Sequence, residues 1–337
     1  MIELAQQLIA GDRRALARLL SHVENEREGV EQALAVLFAH TGRAHIIGVT
    51  GAPGTGKSSL VNALAKACRA RGQTVGILAV DPTSPFTGGA ILGDRIRMRD
   101  LAGDSGVFIR SMATRGSLGG LAQAARDAIR LLDAAGFDIV LVETVGAGQS
   151  EVEVARAAHT TLVVEAPGLG DDVQAIKAGI LEIADVLVVN KADRPGAANT
   201  VRALKGMLEL GHPARRGQML SHHGRLLPAA APANGDAEPA LWIPPLVQTV
   251  ATEGRGIDAL LAAADSHRAY LTGAALARRE REQIAGELTN RLRDALLARA
   301  LAALPEAALA ELVAQVQARE LDPQGAVRRL LAALPGC

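Results

Sequence analysis

The chain has 337 residues, 49% of them hydrophobic, which is enough for about two domains with a packed core. Lys and Arg number 36, as do Asp and Glu, and this balance excludes binding to nucleic acid or to an anionic membrane that is driven by net charge. Aromatic residues make up only 2%, so few side chains are available for base stacking. No uncharged stretch reaches the ~18 residues that span a bilayer. The composition predicts a cytoplasmic protein that contacts neither nucleic acid nor a membrane.

In chain order, the predicted elements change from helical to mixed and back to helical. Apolar residues follow a helical period over 1–43, and this segment is predicted to be helical. Over 44–273, short apolar runs such as "AHIIGVT", "TVGILAV" and "DIVLVE" alternate with helical patterns, and a long surface loop is predicted within 211–245. Such strands and helices are typical of an α/β domain with a mostly parallel sheet covered by helices. Residues 274–337 are predicted to form a C-terminal helical arm.

A glycine-rich motif, "GAPGTGKSS", follows the first predicted strand and opens a predicted helix. This is the P-loop pattern in the context that it requires. Its glycines let backbone amides approach phosphate oxygens, and the helix N-terminus adds partial positive charge. Lys57 is expected to reach the β- and γ-phosphates, and Ser58 to offer its hydroxyl to Mg²⁺. The predicted nucleotide-binding residues of the loop are Gly51, Ala52, Pro53, Gly54, Thr55, Gly56, Lys57, Ser58 and Ser59.

A second motif, "NKAD", predicts which base is bound. Asn190, Lys191 and Asp193 follow the apolar run "VLVV", at the edge where open α/β sheets bind their ligands. The Asp193 carboxylate can accept hydrogen bonds from N1 and N2 of guanine, which adenine does not offer, so GTP and GDP are expected rather than ATP. The alternative is a turn built from loop Asn and Asp residues. Ala251, at the end of the last predicted strand, is a candidate backbone contact to the guanine oxygen.

Acidic residues between these two motifs are candidates for a metal site. Asp81 and Glu143 end predicted strands, and Asp94 lies in "GGAILGDRIRM". Mg²⁺ prefers octahedral oxygen coordination and keeps several waters, so carboxylates near the phosphates can act through those waters. The predicted metal-site residues are therefore Ser58, Asp81, Asp94 and Glu143, although pairing with neighbouring arginines explains Asp94 equally well.

The residues that orient the attacking water are predicted from the same segments. Asp81 is the first candidate for holding or polarising the water, and Gln149 is the second. The amide of Gly146 is expected to bond the γ-phosphate. The predicted catalytic residues are thus Lys57, Asp81, Glu143 and Gln149.

Longer blocks of sequence indicate a family. The blocks "AVDPTSPFTGGAILGDRIRM", "ETVGAGQSEVEVA" and "PGLGDDVQAIKAGILEIAD", together with the two motifs, closely resemble the MeaB, MMAA and ArgK-like GTPases over nearly the whole chain. The resemblance implies a P-loop NTPase fold of the SIMIBI type and a homodimer formed through the C-terminal arm. It also implies a chaperone of adenosylcobalamin-dependent acyl-CoA mutases such as methylmalonyl-CoA mutase. In that role, GTP binding and hydrolysis gate cofactor loading and protect the mutase.

The resemblance further implies an element that signals to the mutase. The segment 168–177 is similar to a mobile element by which family members report their nucleotide state, with Asp171, Gln174 and Lys177 at matching positions. The alternative is an ordinary loop and first helical turn, with Asp171 or Asp172 as the N-cap.

The residues leave two other functions open. A metal-delivery GTPase would need a Cys-x-x-Cys or His-rich tract, whereas His212, His222 and His223 fit solvated loop residues better than metal ligands. A small-molecule kinase or ATPase would need a lid with several arginines, which "GDRIRMRD" could supply.

Overall fold

The computed structural model divides the chain into two compact units, Met1–Leu276 and Ala277–Cys337. The predicted division at 43 and 273 stays a prediction. The residues that the structure describes are 1–82, 98–101, 103–114, 118–144, 157–168, 183–211, 219–222, 225–228, 242–271 and 273–333.

A seven-stranded parallel sheet forms the centre of the first unit. The sheet strands are β1 (His45–Thr50), β2 (Val75–Pro82), β3 (Val107–Thr114), β4 (Ile139–Thr144), β5 (Thr160–Glu165), β6 (Val186–Val189) and β9 (Leu246–Gln248). Their spatial order is β3-β2-β4-β1-β5-β6-β9, and the sheet confirms the predicted α/β class. Four of the strands, β1, β4, β5 and β6, are buried along their whole length, which explains their continuous apolar runs.

Helices cover both faces of the sheet. The described helices of this unit are α1 (Ile2–Ile9), α2 (Arg13–Glu24), α3 (Val30–Phe38), α4 (Lys57–Ala70), α5 (Leu118–Ala134), α6 (Ala197–Gly211) and α7 (Ile257–Tyr270). Leucines of α4 and α7 pack on one face, whereas α5 and the three N-terminal helices share a core with the other. α6 packs beside β5 and β6. The core is aliphatic, as the small aromatic content requires.

Polar contacts anchor the N-terminal helices to the sheet domain. The Asp12 side chain caps α2 by accepting from the amides of Arg14 and Ala15. The Asp133 carboxylate at the end of α5 accepts hydrogen bonds from the amides of 42–44, at distances from 2.5 to 3.1 Å. The chain therefore enters β1 from a fixed position.

One predicted loop contains regular structure. Within 211–245, β7 (Met219–His222) and β8 (Arg225–Pro228) form an antiparallel hairpin in which Met219 pairs with Pro228. The two strands are separated in sequence by His-Gly, a short connection of the kind that favours hairpins. The abundance of Pro, Ala and Gly around them concealed this pattern. His212 and His223 lie outside the described residues.

The second unit is helical. Its helices are α8 (Ala274–Ala303), which begins shortly before the boundary, α9 (Glu306–Gln317) and α10 (Pro323–Ala332). α8 carries Ile284, Leu288, Leu292 and Leu296 at four-residue spacing, and each is more than half exposed. Among the described residues, no helix is both long and apolar enough to cross a membrane.

Candidate guanine nucleotide site

The predicted nucleotide motifs meet at the carboxyl end of the sheet. β1 leads into the P-loop and then α4, while β6 leads into Asn190. β5 lies between β1 and β6 and pairs with both. The site is therefore positioned by neighbouring buried strands, as is usual for ligands of open parallel sheets.

The P-loop contains two glycines with positive φ angles, a backbone conformation that is strained for other residues. Gly51 has φ +138° and Gly56 has φ +93°. A Cβ on Gly51 would overlap the carbonyl oxygen of Val164 on β5. A Cβ on Gly56 would lie 2.6 Å from Nδ2 of Asn190. The loop therefore packs directly against β5 and against the "NKAD" motif that follows β6.

Lys57 lies inside the arc of the loop and is only 5% exposed. Its Nζ donates to the carbonyl oxygens of Gly51 and Ala52, at 2.6 and 3.1 Å. These acceptors are neutral, whereas a phosphate oxygen carries charge and forms a stronger hydrogen bond to an ammonium. The ammonium is thus held where a phosphate can replace its present partners.

Asn190 connects the P-loop to the loop after β9. Its Nδ2 donates to the Thr55 carbonyl at 2.9 Å. Its Oδ1 accepts from the Thr249 hydroxyl at 3.1 Å and from the Ala251 amide at 3.2 Å. Because the amide uses both ends on protein partners, Asn190 holds three loops together, and the Ala251 amide lies beside it.

Lys191 of the "NKAD" motif also contacts the P-loop. Lys191 has a left-handed backbone, with φ +56°, and its Nζ donates to the Gly54 carbonyl at 2.6 Å. Asp193 follows in the next turn, and its side chain is exposed. An exposed carboxylate beside a phosphate loop is available to an incoming base.

Ser58 and Glu143 form the polar centre of the predicted metal site. The Ser58 hydroxyl donates to Glu143 Oε1 at 2.6 Å, and both residues are buried. Asp81 lies near the end of β2, one residue after Val80, which pairs with Thr144 of β4. The backbone of Asp81 is therefore at the same edge of the sheet as Glu143.

Six predicted site residues lie outside the part of the chain that the structure describes. Their roles stay predictions, since no described contact tests them. The predicted positions outside the described residues are Asp94, Gly146, Gln149, Asp171, Gln174 and Lys177.

The sequence did not reveal two contributors. The Thr249 hydroxyl supports Asn190, and the Val164 carbonyl limits the space at Gly51. Thr249 lies two residues before Ala251, so a hydroxyl near the predicted base contact was the available signal. A backbone carbonyl on a neighbouring strand leaves no such signal.

Comparison with known proteins identifies the family. Residues 16–305 match the family model described as methylmalonyl Co-A mutase-associated GTPase MeaB. A Pyrococcus abyssi protein named as a GTPase is 44% identical over 335 residues, covering 99% of this chain and 97% of that protein. The methylmalonic aciduria type A homolog, mitochondrial, of Caenorhabditis elegans is 38% identical over 206 residues, or 57% of this chain and 52% of that protein.

A solved structure supports the same conclusion. The crystal structure of a LAO/AO transport system kinase matches with a TM-score of 0.68 and 27% sequence identity, covering 98% of this chain and 96% of that one. The family resemblance and the GTPase activity predicted from the sequence are therefore confirmed. This chain belongs to the MeaB family of P-loop GTPases.

Proposed function

We propose that this GTPase is a cytoplasmic chaperone of an adenosylcobalamin-dependent acyl-CoA mutase. The client is methylmalonyl-CoA mutase or a close relative, such as 2-hydroxyisobutyryl-CoA or isobutyryl-CoA mutase. GTP binding and hydrolysis gate the loading of adenosylcobalamin and protect or reactivate the mutase. The observation that carries the proposal is the match over 16–305 to a family described by its association with methylmalonyl Co-A mutase.

The "NKAD" motif is proposed to bind the guanine base. Asp193 accepts from the guanine nitrogens, and Ala251 supplies a backbone contact to the guanine oxygen. The bonds of Asn190 to Thr55 and Thr249 support this assignment, because they hold the base-reading loop against the P-loop. A carboxylate that reads a base discriminates well, since a wrong base leaves it without its partner.

The donor set at the end of β4 fits Mg²⁺. Glu143 accepts a hydrogen bond from the Ser58 hydroxyl, and this leaves the lone pairs of that hydroxyl for a cation. Hydroxyl and carboxylate oxygens are the ligand type that Mg²⁺ prefers. When bound, Mg²⁺ neutralises charge that builds up on the phosphates. The residues proposed to hold it, directly or through water, are Ser58, Asp81, Asp94 and Glu143.

The chain's own groups then favour hydrolysis. Lys57 stabilises the negative charge on the γ-phosphate, and the Gly146 amide bonds the same group. Asp81 orients the attacking water, with Gln149 as the second candidate for this role. Because the Lys57 ammonium is already inside the loop arc, it needs little reorganisation to act.

Dimerisation through the C-terminal helices is part of the same proposal. The exposed stripe on α8, formed by Ile284, Leu288, Leu292 and Leu296, supports it, since a continuous apolar stripe favours packing against another helix. Leu288→Glu combined with Leu292→Glu should convert dimers to monomers in analytical ultracentrifugation. Monomeric wild-type protein would contradict this part of the proposal.

The chaperone role is tested with a purified candidate mutase. The mutase should raise the GTP hydrolysis rate, and the GTPase should slow inactivation of the mutase during turnover. Gln174→Ala and Lys177→Ala, in the proposed signalling element with Asp171, should lower the stimulated rate by a larger factor than the intrinsic rate. Lys205→Ala, at an exposed position on α6, is the control. The chaperone role would be refuted if none of these mutases stimulated GTP hydrolysis and none was protected by the GTPase.

Base selectivity is tested by exchanging the base. Wild-type protein should bind GTP and GDP far more tightly than ATP, and Asp193→Asn should shift the preference towards xanthine nucleotides. Asp258→Asn, an exposed carboxylate on α7, is the matched control. Equal affinities for GTP and ATP would contradict the guanine assignment without bearing on the mutase.

A further inference from the structure

Two buried hydroxyl groups join β1 and β4 at their carboxyl ends. Thr50 is the last residue of β1, and Thr144 is the last residue of β4. Thr144 Oγ1 donates to Thr50 Oγ1 at 3.1 Å, and each residue is 2% exposed. Gly51 of the P-loop follows Thr50, and the segment with Gly146 and Gln149 follows Thr144. The pair therefore connects the last residues of two adjacent strands, one of which leads directly into the P-loop.

The pair lies on the opposite face of the sheet from the bond between Ser58 and Glu143. Val49 pairs with Glu143, so Thr50 and Thr144 come next on their strands. Successive residues of a strand point to opposite faces. Glu143 points towards α4, where Ser58 donates to it. Thr144 points towards the face that α5 and the N-terminal helices cover, as do Val140 and Val142.

The end of β4 is thus held from both faces. On one face, Glu143 is bonded to the first turn of α4, and on the other, Thr144 is bonded to Thr50. A displacement of ~1 Å at this point would stretch the 2.6 Å bond of Glu143 beyond hydrogen-bonding range. Rates that depend on oriented groups fall steeply with such displacements.

We infer that Thr144 is a positioning residue for GTP hydrolysis. Its hydroxyl, bonded to Thr50, fixes the end of β4, so that Glu143 keeps its place beside Ser58. The inference rests on the proposed function in one respect, the assignment of Glu143 to the metal site. It adds a residue that touches neither nucleotide nor metal.

Thr144→Val tests the inference, because valine keeps the branched shape and removes the hydroxyl. The single-turnover hydrolysis rate should fall about 5- to 20-fold, since an oriented group is displaced. The dissociation constant for GDP should change less than about 3-fold, because the contacts of Lys57 and Asn190 remain. A spectroscopic titration of Mn²⁺ into the GDP complex should show about 3- to 10-fold weaker binding, since the carboxylate is no longer held.

Three further variants make the result specific. Thr144→Ser keeps the hydroxyl and should restore the rate to within about 2-fold of wild type. Thr50→Val in the Thr144→Val background should cause no additional loss, because both changes break one bond. Thr160→Val removes another buried hydroxyl, at the opposite end of β5, and should lower stability while leaving the rate unchanged.

Several results would overturn the inference. These are a wild-type rate in Thr144→Val, no restoration by serine, or an equal loss of rate in Thr160→Val. Parallel losses of rate and GDP affinity in Thr144→Val would also do so, since they would show that the pair maintains the P-loop itself. Glu143→Gln separates this inference from the proposed function. An unchanged rate in that variant contradicts the metal assignment and the inference together, whereas a loss there with a normal Thr144→Val contradicts the inference alone.

Discussion

The two ends of the parallel sheet both bury polar side chains, but they bond them in different ways. At the amino end, four side chains bond to one another. Asp185 Oδ1 lies 3.2 Å from His267 Nε2, and His267 Nδ1 lies 3.0 Å from the Thr160 hydroxyl. The same hydroxyl lies 2.8 Å from Nε2 of His45. This network joins β1, β5 and α7, all of which are rigid elements of the core.

At the carboxyl end, some side chains also bond to one another, but two lysine side chains bond to backbone oxygens of the P-loop. Lys57 bonds to the Gly51 carbonyl, and Lys191 bonds to the Gly54 carbonyl. A charged phosphate can replace a neutral carbonyl as the partner of an ammonium. At the amino end, by contrast, the bonds of the network join protein side chains to one another. Substitutions at the amino end should therefore change stability, and those at the carboxyl end should change nucleotide chemistry.

The largest effect is expected for Lys57→Ala. Loss of the ammonium removes charge stabilisation at the γ-phosphate, so the hydrolysis rate should fall about 100- to 1,000-fold, or ~3–4 kcal/mol. The free energy of unfolding should change by less than ~1 kcal/mol, because removal of the buried ammonium also removes its desolvation cost, which offsets the loss of its hydrogen bonds to the carbonyls of Gly51 and Ala52. Phosphate release and urea denaturation measure the two quantities. Lys66→Ala, on the same helix and ion-paired to Asp100, should leave the rate unchanged. A large loss of stability in Lys57→Ala would erase the contrast between the two ends.

The reverse pattern is expected for His267→Phe at the amino end. Phenylalanine keeps a ring beside Trp242 and Tyr270 but leaves the Thr160 hydroxyl and the Asp185 carboxylate without this partner. The free energy of unfolding should fall by about 2–3 kcal/mol, which is the cost of buried polar groups that lose a hydrogen bond. GDP affinity, measured by isothermal titration calorimetry, should stay within about 2-fold of wild type, since the site lies at the other end. An equal loss of affinity and stability would show that the two ends are coupled.

Two glycines with nearly equal φ angles separate backbone strain from contact with the nucleotide site. Gly56 and Gly42 have φ +93° and +94°. Alanine should cost each about 1–2 kcal/mol of stability through left-handed strain. Only at Gly56 would the new Cβ press against Asn190, whereas no heavy atom lies within 4 Å of one built at Gly42. GDP affinity should therefore fall about 10-fold in Gly56→Ala alone, because the displaced Asn190 loosens the loop that it holds. An equal loss of affinity in Gly42→Ala would contradict this explanation.

The carboxyl end was largely predictable because its signals are local. Gly51, Lys57 and Ser58 lie within one short motif, and Asn190, Lys191 and Asp193 lie within another. Each follows a continuous apolar run, and parallel strands bring their carboxyl ends to one edge. The fold class could be predicted for the same reason, since buried strands and helices alternate along the chain.

The amino end was not predicted because its partners are remote in sequence. His45 and Thr160 are 115 positions apart, and Thr160 and His267 are 107 apart. A single polar residue at a strand end belongs to no motif of fixed spacing, so the sequence does not indicate its partner. The hydrogen bonds from the amides of 42–44 to Asp133 also have no sequence signal, since they depend on where α5 ends relative to β1. Residues that act within one short motif can be predicted from the sequence, whereas contacts between segments remote in sequence require the structure.

The smallest expected effect is a dependence of stability on pH that arises at the amino end. Burial, together with the nearby Arg268, His159 and His267, lowers the pKa of His45 from 6.5 to about 3. Between these values the unfolded chain binds a proton that the folded chain does not, so stability must fall as the pH falls. His45 alone should remove about 1 kcal/mol between about pH 7 and about pH 5.5. Urea denaturation at a series of pH values measures this loss.

The comparison of wild type with His45→Gln isolates this contribution. Groups that do not interact with His45 contribute equally to both proteins, so their effects cancel in the difference between the two stability profiles. The variant should be less stable than wild type near neutral pH, because Thr160 loses an imidazole partner, and the gap should narrow as the solution becomes more acidic. Parallel profiles would show that His45 is not held neutral by the fold. A narrowing gap with unchanged GDP affinity near neutral pH would confine the acid-sensitive group to the end of the sheet that does not bind the nucleotide.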